Sequence, residues 1–245
     1  ENATVAVSIF VNPTQFGLLE DYSGYPRNLD SDISILENLE VDLVFVPTEE
    51  EMYPEGFETK VDVGQLASRP EGEFRPGHFN GVATVVCKLL VIARPDRAYF
   101  GQKDAQQSMV IRRLNFDLNL GTAIVIVPTA REPDGLAFSS RNRYLGLEER
   151  KSSTVLYKSL SIARDMWERG VSDADEIKGR MRDYIENDPI ARIEYVSVAD
   201  PNTLEELDVI NVTALISLAV WIGTTRLIDN VVLMGSLDSS LLDVD

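Results

Sequence analysis

The chain has 245 residues, of which 44% are apolar and 26% are charged. These proportions are typical of a globular protein with a buried core, and they exclude collagen-like, low-complexity and wholly disordered chains. The formal net charge of −17 disfavours nucleic acid and anionic membranes as partners. No apolar run approaches the about 18 residues of a transmembrane helix. We therefore expect neither nucleic acid nor a membrane as a partner.

One cysteine, Cys87, and one histidine, His78, limit the available chemistry. A lone cysteine cannot form an internal disulfide, and a lone histidine cannot build a multi-histidine metal site. These counts favour a reducing, cytoplasmic location. The start of the chain also lacks the basic region that is typical of a signal peptide. His78 is either a switchable donor beside an anion or a hydrogen-bonded partner at a helix start, and we favour the second interpretation.

Strands and helices alternate through the first part of the chain. The predicted strands cover residues 5–11, 41–46, 61–63, 98–100 and 122–127. The predicted helices cover residues 29–39, the segment from about 77–81 to 94, and a segment that begins at Asp104. This alternation indicates a parallel sheet with right-handed crossovers. The continuous apolar run at residues 5–11 predicts a strand that is buried on both faces.

The pattern changes at about residues 143–147. Two amphipathic helices at residues 148–169 and 173–187 precede strands at residues 193–198, 214–221 and 227–232. This order predicts a first domain over residues 1–143 and a smaller α+β domain over residues 144–235. The remaining residues, 236–245, are predicted to form a frayed acidic tail.

Polar loops follow three of the predicted strands, at residues 12–17, 101–107 and 129–142. Ligands of parallel sheets bind beyond the carboxyl ends of the strands, so these loops are the predicted site. The segment Gly101-Gln-Lys-Asp104 lies between a strand and a helix. Its glycine permits close backbone approach, the helix start favours phosphate, and Lys103 can neutralise phosphate oxygens. The segment is not a Walker A motif, and a surface turn with a capping aspartate is the alternative.

Hydroxyl, guanidinium and amide groups stand in the same loops. Ser139, Ser140 and Arg141 are able to donate several hydrogen bonds to a polyphosphate, although an N-cap region before the next helix is the alternative. Gln15 and Gln107 are able to hydrogen-bond the hydroxyl or carboxylate of a small substrate. A glutamine that merely favours the helix is the alternative for Gln107.

Five ordered segments of the chain resemble the pantothenate synthetase (pantoate–β-alanine ligase) family. They are FVNPTQF at residues 10–16, YPR at 25–27, RPGHFNGV at 75–82, YFGQKDAQQ at 99–107 and REPDGLAFSSRNRYL at 131–145. The later segment WIGTTRLIDN at residues 221–230 is also similar to that family. Each segment alone is weak, but their shared order and spacing are specific.

The resemblance implies a fold and a reaction. The implied fold is α/β, with a Rossmann-like nucleotidylyltransferase domain built on a parallel sheet, followed by a smaller α+β C-terminal domain. The implied reaction is the ATP-dependent condensation of pantoate with β-alanine to pantothenate. It proceeds through a pantoyl adenylate and releases AMP and pyrophosphate. The resemblance also implies Mg²⁺ together with ATP, and a homodimer.

The resemblance assigns roles to residues by their position in the matching segments. It implies pantoate contacts from Asn12, Gln15 and Gln107, with Gln15 also contacting β-alanine. It implies ATP contacts from Gly101, Gln102, Lys103, Asp104, Ala130, Phe138, Ser139, Ser140 and Arg141. Within that set, the expected catalytic residues are Lys103, Ser139, Ser140 and Arg141. No residue is expected to be a dedicated metal ligand.

One part of the family pattern has no counterpart in the sequence. The family places a strand and a His-x-Gly-His segment ahead of the position of Glu1. We therefore expect this chain alone to be inactive, to bind ATP poorly and to associate through the edge at residues 5–11. Two alternatives stay open: another nucleotidylyltransferase that acts on a different small acid or alcohol, and a non-catalytic remnant that binds ligand or dimerises.

Overall fold

The structure is a computed structural model that describes residues 2–17 and 20–234. Its strands are β1 (Ala6–Ser8), β2 (Leu43–Phe45), β3 (Arg97–Gly101), β4 (Ala123–Val127), β5 (Ala191–Ala199), β6 (Thr213–Ile222) and β7 (Thr225–Met234). Its α-helices are α1 (Leu29–Asn38), α2 (Glu49–Met52), α3 (Pro70–Phe74), α4 (His78–Ala93), α5 (Ala105–Asp117), α6 (Leu147–Ser152), α7 (Val155–Glu168) and α8 (Ala174–Glu186). Among the helices of these residues, none is long and apolar enough to span a membrane.

The four short strands of the N-terminal part form two parallel pairs. β1 pairs with β2, and β3 pairs with β4, with Arg97 opposite Ala123. Helices α4 and α5 cover both pairs, because their apolar residues form one buried cluster that also contacts Phe45 of β2 and Phe100 of β3. The parallel strands therefore share one layer of helices, and their carboxyl ends lead into polar loops.

The C-terminal part is a three-stranded antiparallel sheet in the order β5-β6-β7. Alternate residues of a strand point to opposite faces. Ile216, Leu218 and Val220 of β6 are fully buried against α7 and α8. Leu215 and Ser217 point to the other face, toward the N-terminal part. One face of the sheet thus forms a core with α7 and α8. The other face is turned toward the N-terminal part, where it can line a binding site.

These elements confirm most of the predicted helices and strands. Helices α1, α4, α5 and α8 lie where the periodicity placed them, and Asn28 caps α1 by accepting from the Ser31 N–H at 3.3 Å. Asp104 precedes α5, but its side chain accepts no cap hydrogen bond, so the alternative of a capping aspartate is wrong. The proposed division at residues 143 and 144 stays a prediction, and the tail at residues 236–245 lies outside the described residues.

Two predicted strands differ from the structure. β1 is shorter than residues 5–11, and its Ala6 and Ser8 are exposed, so the prediction of a strand buried on both faces is wrong. Among the described strands it pairs with β2 alone, which leaves its other edge open. Residues 61–63 form no strand, because the Val61 N–H donates to Thr84 Oγ1 of α4 at 2.9 Å in place of a ladder bond.

The predicted helix at residues 148–169 is two helices, α6 and α7. The break falls at Ser153 and Thr154. Their hydroxyl groups donate to the carbonyl oxygens of Arg150 and Lys151, at 2.7 and 3.0 Å. Such bonds from Ser and Thr to the preceding turn bend helices or end them.

Candidate active site

Three adjoining cavities form a cleft at the carboxyl ends of the parallel strands. The central cavity lies between the N-terminal helices and the open face of the C-terminal sheet. The loop cavity shares Lys103 and Asp229 with it. The aromatic cavity shares Arg75 and His78 with it. These shared residues place the central cavity between the other two.

Lys103 lies in the wall between the central and loop cavities. It belongs to a short 3₁₀ turn, Gln102–Asp104, that connects β3 directly to α5. Its ammonium Nζ lies 3.6 Å from Asp104 Oδ1, and its side chain is 20% exposed. A lysine at this junction can neutralise an anion in either cavity. The N-terminus of α5, which lies close by, also favours a negatively charged ligand.

The loop after β4 is fixed by contacts with the C-terminal part. Arg131 donates to both carboxylate oxygens of Asp229, at 2.7 and 2.9 Å, and its guanidinium lies 4.7 Å from the Tyr157 ring centroid. Gly135 has φ of +93°, and a Cβ there would lie 1.9 Å from the Tyr157 ring. A side chain at that position would displace the loop, so the glycine is required for the close approach.

The serine–arginine loop, residues 139–141, contacts residues 21–25, which precede α1. Ser140 Oγ donates to the Tyr25 hydroxyl at 3.0 Å, and Arg141 donates to both oxygens of Asp21, at 3.2 and 2.9 Å. Burial opposes the charge on Asp21, but the hydrogen bonds and charge of Arg141 outweigh it and lower the Asp21 pKa. Ser139 caps the loop by accepting from the Arg141 N–H at 3.2 Å. A phosphate bound by Arg141 would therefore compete with Asp21.

Gln15 is oriented by Asn12. Asn12 is buried, and its Nδ2 donates to Gln15 Oε1 at 3.0 Å and to the Gly81 carbonyl at 3.2 Å. Its Oδ1 accepts from the Tyr53 hydroxyl at 2.7 Å. The Gln15 oxygen is thus occupied by the protein, and its amide nitrogen is the group left for a ligand. Direct contact of Asn12 with pantoate stays a prediction.

His78 is a neutral hydrogen-bonded partner of the Gln15 backbone. Its Nε2 lies 3.0 Å from Arg75 Nη1, and its Nδ1 lies 2.7 Å from the Gln15 carbonyl oxygen. Because arginine only donates, Nε2 accepts and Nδ1 carries the proton. Burial, together with the positive charge of Arg75, lowers the His78 pKa to about 4. This geometry confirms the interpretation of His78 as a partner at a helix start.

A buried ion-pair network joins the two parts of the molecule, and sequence reasoning missed it. Arg226 of β7 donates to both oxygens of Glu71 in α3, at 2.8 and 2.9 Å, and also contacts Glu194 of β5. The Tyr195 hydroxyl donates to Glu71 at 3.0 Å. Burial raises the Glu71 pKa, but Arg226 outweighs it, so the pKa is lowered and the pair stays charged. The only sequence signal is that Arg226 stands in the late segment at residues 221–230.

The structure brings several predicted residues together. Lys103, Asp104 and Gln107 line the central cavity, and Lys103, Ser139 and Arg141 line the loop cavity. Gln15 lines the aromatic cavity, so Arg75 and His78 lie between the two glutamines. The following predicted residues stand outside the described cavity walls, and their ligand contacts stay predictions: Asn12, Gly101, Gln102, Ala130, Phe138 and Ser140.

Comparison with known proteins shows which family the chain resembles. The family model for pantoate–β-alanine ligase matches residues 1–232. Pantothenate synthetase of Roseiflexus sp. (strain RS-1) is 57% identical over 233 residues, which are 95% of this chain and 84% of that protein.

Solved structures agree with the sequence matches. Pantothenate synthetase from Thermus thermophilus is 47% identical with a TM-score of 0.92, over 94% of this chain and 84% of that one. Pantoate–β-alanine ligase from Francisella tularensis, complexed with β,γ ATP and β-alanine, is 38% identical with a TM-score of 0.75, over 94% of this chain and 80% of that one. These matches confirm the predicted fold class. The chain therefore belongs to the pantoate–β-alanine ligase family.

Proposed function

We propose that this protein joins pantoate to β-alanine in two steps, through a pantoyl adenylate, with release of pyrophosphate and AMP. Family membership supports ATP-dependent ligation of these two substrates. The observation that carries the two-step assignment is the position of Lys103. It lines both the cavity that holds Gln107 and the cavity that holds Ser139 and Arg141. A carboxylate in one and a triphosphate in the other would meet at this lysine.

In the first step, a pantoate carboxylate oxygen attacks the α-phosphorus of ATP. The bond from the α-phosphorus to the bridging oxygen breaks, and pyrophosphate leaves. This chemistry needs no protein nucleophile, so catalysis is alignment together with stabilisation of the charge that moves onto the phosphates. Lys103, Ser139, Ser140 and Arg141 are the proposed donors for that charge. Gln15 and Gln107 are proposed to orient pantoate through its hydroxyl and carboxylate groups.

In the second step, the neutral amine of β-alanine attacks the acyl carbon of the adenylate. The carbon–oxygen bond to AMP breaks, and the amine loses a proton to solvent. The amide nitrogen of Gln15 is proposed to contact β-alanine as well as pantoate, since Asn12 already occupies the oxygen of that side chain. His78 hydrogen-bonds the backbone carbonyl of the same residue and so holds the main chain of Gln15 in place.

Magnesium is proposed to arrive with ATP. The described residues contain no cluster of three or more acidic, histidine or cysteine side chains that would hold a metal ion. Mg²⁺ in phosphoryl-transfer sites is commonly held by substrate phosphates and one or two carboxylates, and Asp104 beside Lys103 fits that limited role. When bound, the ion would neutralise phosphate charge; the residues of this chain provide orientation.

The assay is pantoate-dependent release of pyrophosphate from ATP, followed by pantothenate formation when β-alanine is added. Pantoate labelled with ¹⁸O in its carboxylate distinguishes the mechanism, because an adenylate intermediate transfers one label to the phosphate of AMP. Unlabelled AMP would contradict the intermediate. Turnover only with another small acid or alcohol would support the alternative nucleotidylyltransferase, and binding without turnover would support the non-catalytic alternative.

The proposed homodimer is checked by light scattering on the purified protein, and the proposed cytoplasmic location by fractionation of cells that express it.

A further inference from the structure

The last strand of the C-terminal sheet directs a buried amide at the candidate active site. Ile216 and Leu218 of β6 face the helices α7 and α8, whereas Ser217 points to the central cavity. Asn230 of β7 pairs with Ser217 across the sheet and lines the same cavity. Asn230 therefore faces the N-terminal part, although it belongs to the C-terminal sheet.

Every polar atom of the Asn230 side chain contacts the turn that carries Lys103. Its Nδ2 donates to the carbonyl oxygens of Gln102 and Lys103, at 3.0 and 2.8 Å. Its Oδ1 accepts from Gln102 Nε2 at 2.9 Å. Asn230 is only 4% exposed, so these bonds are shielded from water. Loss of a buried partner leaves the remaining groups unsatisfied, which makes such a set sensitive to substitution.

The two carbonyl groups belong to the peptide groups on either side of the Lys103 Cα atom. Fixing both peptide groups fixes the direction in which the lysine side chain leaves the backbone. The turn has no side-chain cap of its own, since Gly101 stands at its N-cap position. The contact from β7 therefore supplies the constraint that the local sequence does not.

Asp229, the residue before Asn230, contacts the loop after β4, which is the second segment proposed to bind phosphate. Asp229 pairs with Arg131 at the start of the loop that carries Ser139 and Arg141. Adjacent residues of one strand thus hold the Lys103 turn and that loop at a fixed separation. Displacements of a reacting group by about 1 Å can lower rates by about 10²-fold.

We propose that Asn230 is a positioning residue for Lys103, and that its amide keeps the lysine ammonium between the central and loop cavities. The inference rests on the proposed function, in which Lys103 stabilises phosphate charge. Asn230 itself is not placed in contact with substrate. It acts through the backbone of the turn.

The test is a double-mutant cycle between Asn230→Asp and Lys103→Ala. Asn230→Asp keeps the size and the acceptor, but it removes the donor and places a carboxylate oxygen against two carbonyl groups. We expect it to lower kcat for pyrophosphate release by about tenfold or more, with less than about threefold change in KM for ATP. In the Lys103→Ala background the same change should lower single-turnover rates by less than about twofold.

The matched control is Ile216→Val, which removes one methyl group from the buried opposite face of the same sheet. It should lower the thermal midpoint but leave kcat per folded molecule unchanged. An equal loss of rate from Asn230→Asp in both lysine backgrounds would assign Asn230 to stability and overturn the proposal. A wild-type kcat in folded Asn230→Asp would overturn it as well.

A second measurement does not depend on activity. Amide hydrogen exchange in residues 101–107 should be at least about tenfold faster in Asn230→Asp than in wild type, and unchanged in Ile216→Val. Unchanged exchange in Asn230→Asp overturns the positioning even if the ligase reaction is observed. Faster exchange in a protein without pantoate-dependent turnover supports the positioning of the turn and counts against the proposed function alone.

Discussion

The two parts of the molecule differ in how their sheets are buried. The C-terminal strands are nine or ten residues long, and one face of the sheet is sealed by α7 and α8, with Ile216 and Leu218 fully buried. The N-terminal strands are three to five residues long, and Leu43 of β2 is 53% exposed. Yet most of the candidate ligand-binding residues belong to the less buried part.

The difference indicates that the C-terminal sheet contributes most of the packing, whereas the N-terminal part contributes most of the candidate ligand-binding loops. Loops at strand ends must remain accessible to ligands, so they cannot be stabilised by deep burial of their own. Here the better packed sheet contributes polar contacts to them instead. Arg226, Asp229 and Asn230, all on β7, reach α3, the loop after β4 and the turn after β3. We therefore expect stability and activity to respond to different substitutions.

The largest expected effect is on stability, from the same substitution made in both parts. Ile216→Ala empties a fully buried site and should cost about 2–5 kcal/mol of unfolding free energy. Ile124→Ala in β4, which is only partly buried, should cost less than half as much. Urea denaturation of both variants measures the difference. Equal losses of unfolding free energy in the two variants would show that the two sheets contribute equally to stability.

The next largest effect is on activity without a matching loss of stability. Lys103→Ala removes a positioned donor to the phosphates and should lower pyrophosphate formation by about 10²–10³-fold. The thermal midpoint should stay near that of wild type, because its one ion pair in the structure is a loose contact with Asp104 at 3.6 Å. Lys151→Ala is the matched control, because this lysine is 73% exposed, pairs with Glu148 and lies outside the described cavity walls. Near-normal turnover in Lys103→Ala would contradict its role.

Local pattern was enough to predict the elements that carry the site. The apolar repeat of α4 and the sequence Gly101 to Asp104 between a strand and a helix depend on neighbours along the chain. The two-sided burial of β1 failed, because burial depends on which strands lie beside it, and β2 alone pairs with it among the described strands. The hydroxyl groups of Ser153 and Thr154 donate to backbone carbonyl oxygens and end a helix there. The spacing of apolar residues along the sequence gives no sign of such bonds.

The contacts that organise the site could not be predicted in this way. Arg141 pairs with Asp21 across 120 positions, and Arg226 pairs with Glu71 across 155 positions. Ion pairs between distant segments leave no periodic signal, and a charged residue in a loop is as readily solvated as paired. The resemblance to a family indicated that these segments matter, but it did not show which residues meet.

A smaller effect concerns pH, and the single histidine makes it measurable. The His78 pKa is lowered from 6.5 to about 4, so the unfolded chain takes up its proton first as the pH falls. Stability is therefore lost between pH 6.5 and about 4, by at most about 3 kcal/mol from this group. The imidazole carbon signal in NMR should titrate near pH 4. His78→Gln should flatten this part of the stability profile, and a titration near 6.5 would contradict the neutral buried imidazole.

The smallest expected effect is on pantoate binding, and it asks whether the two glutamines act on one ligand. Gln15 lines the aromatic cavity and Gln107 the central cavity, with Arg75 and His78 between them. Loss of a hydrogen bond to a ligand group that remains buried costs about 1–3 kcal/mol, so Gln15→Ala and Gln107→Ala should each weaken pantoate binding roughly tenfold. Gln65→Ala, at an exposed position, should leave it unchanged. Isothermal titration of the three folded variants with pantoate measures this.

If the glutamines share the ligand, the double variant should lose less binding free energy than the sum of the two single losses, because the ligand shifts once its first contact is gone. Full additivity would place them on separate ligands, and unchanged binding in both single variants would remove the assignment.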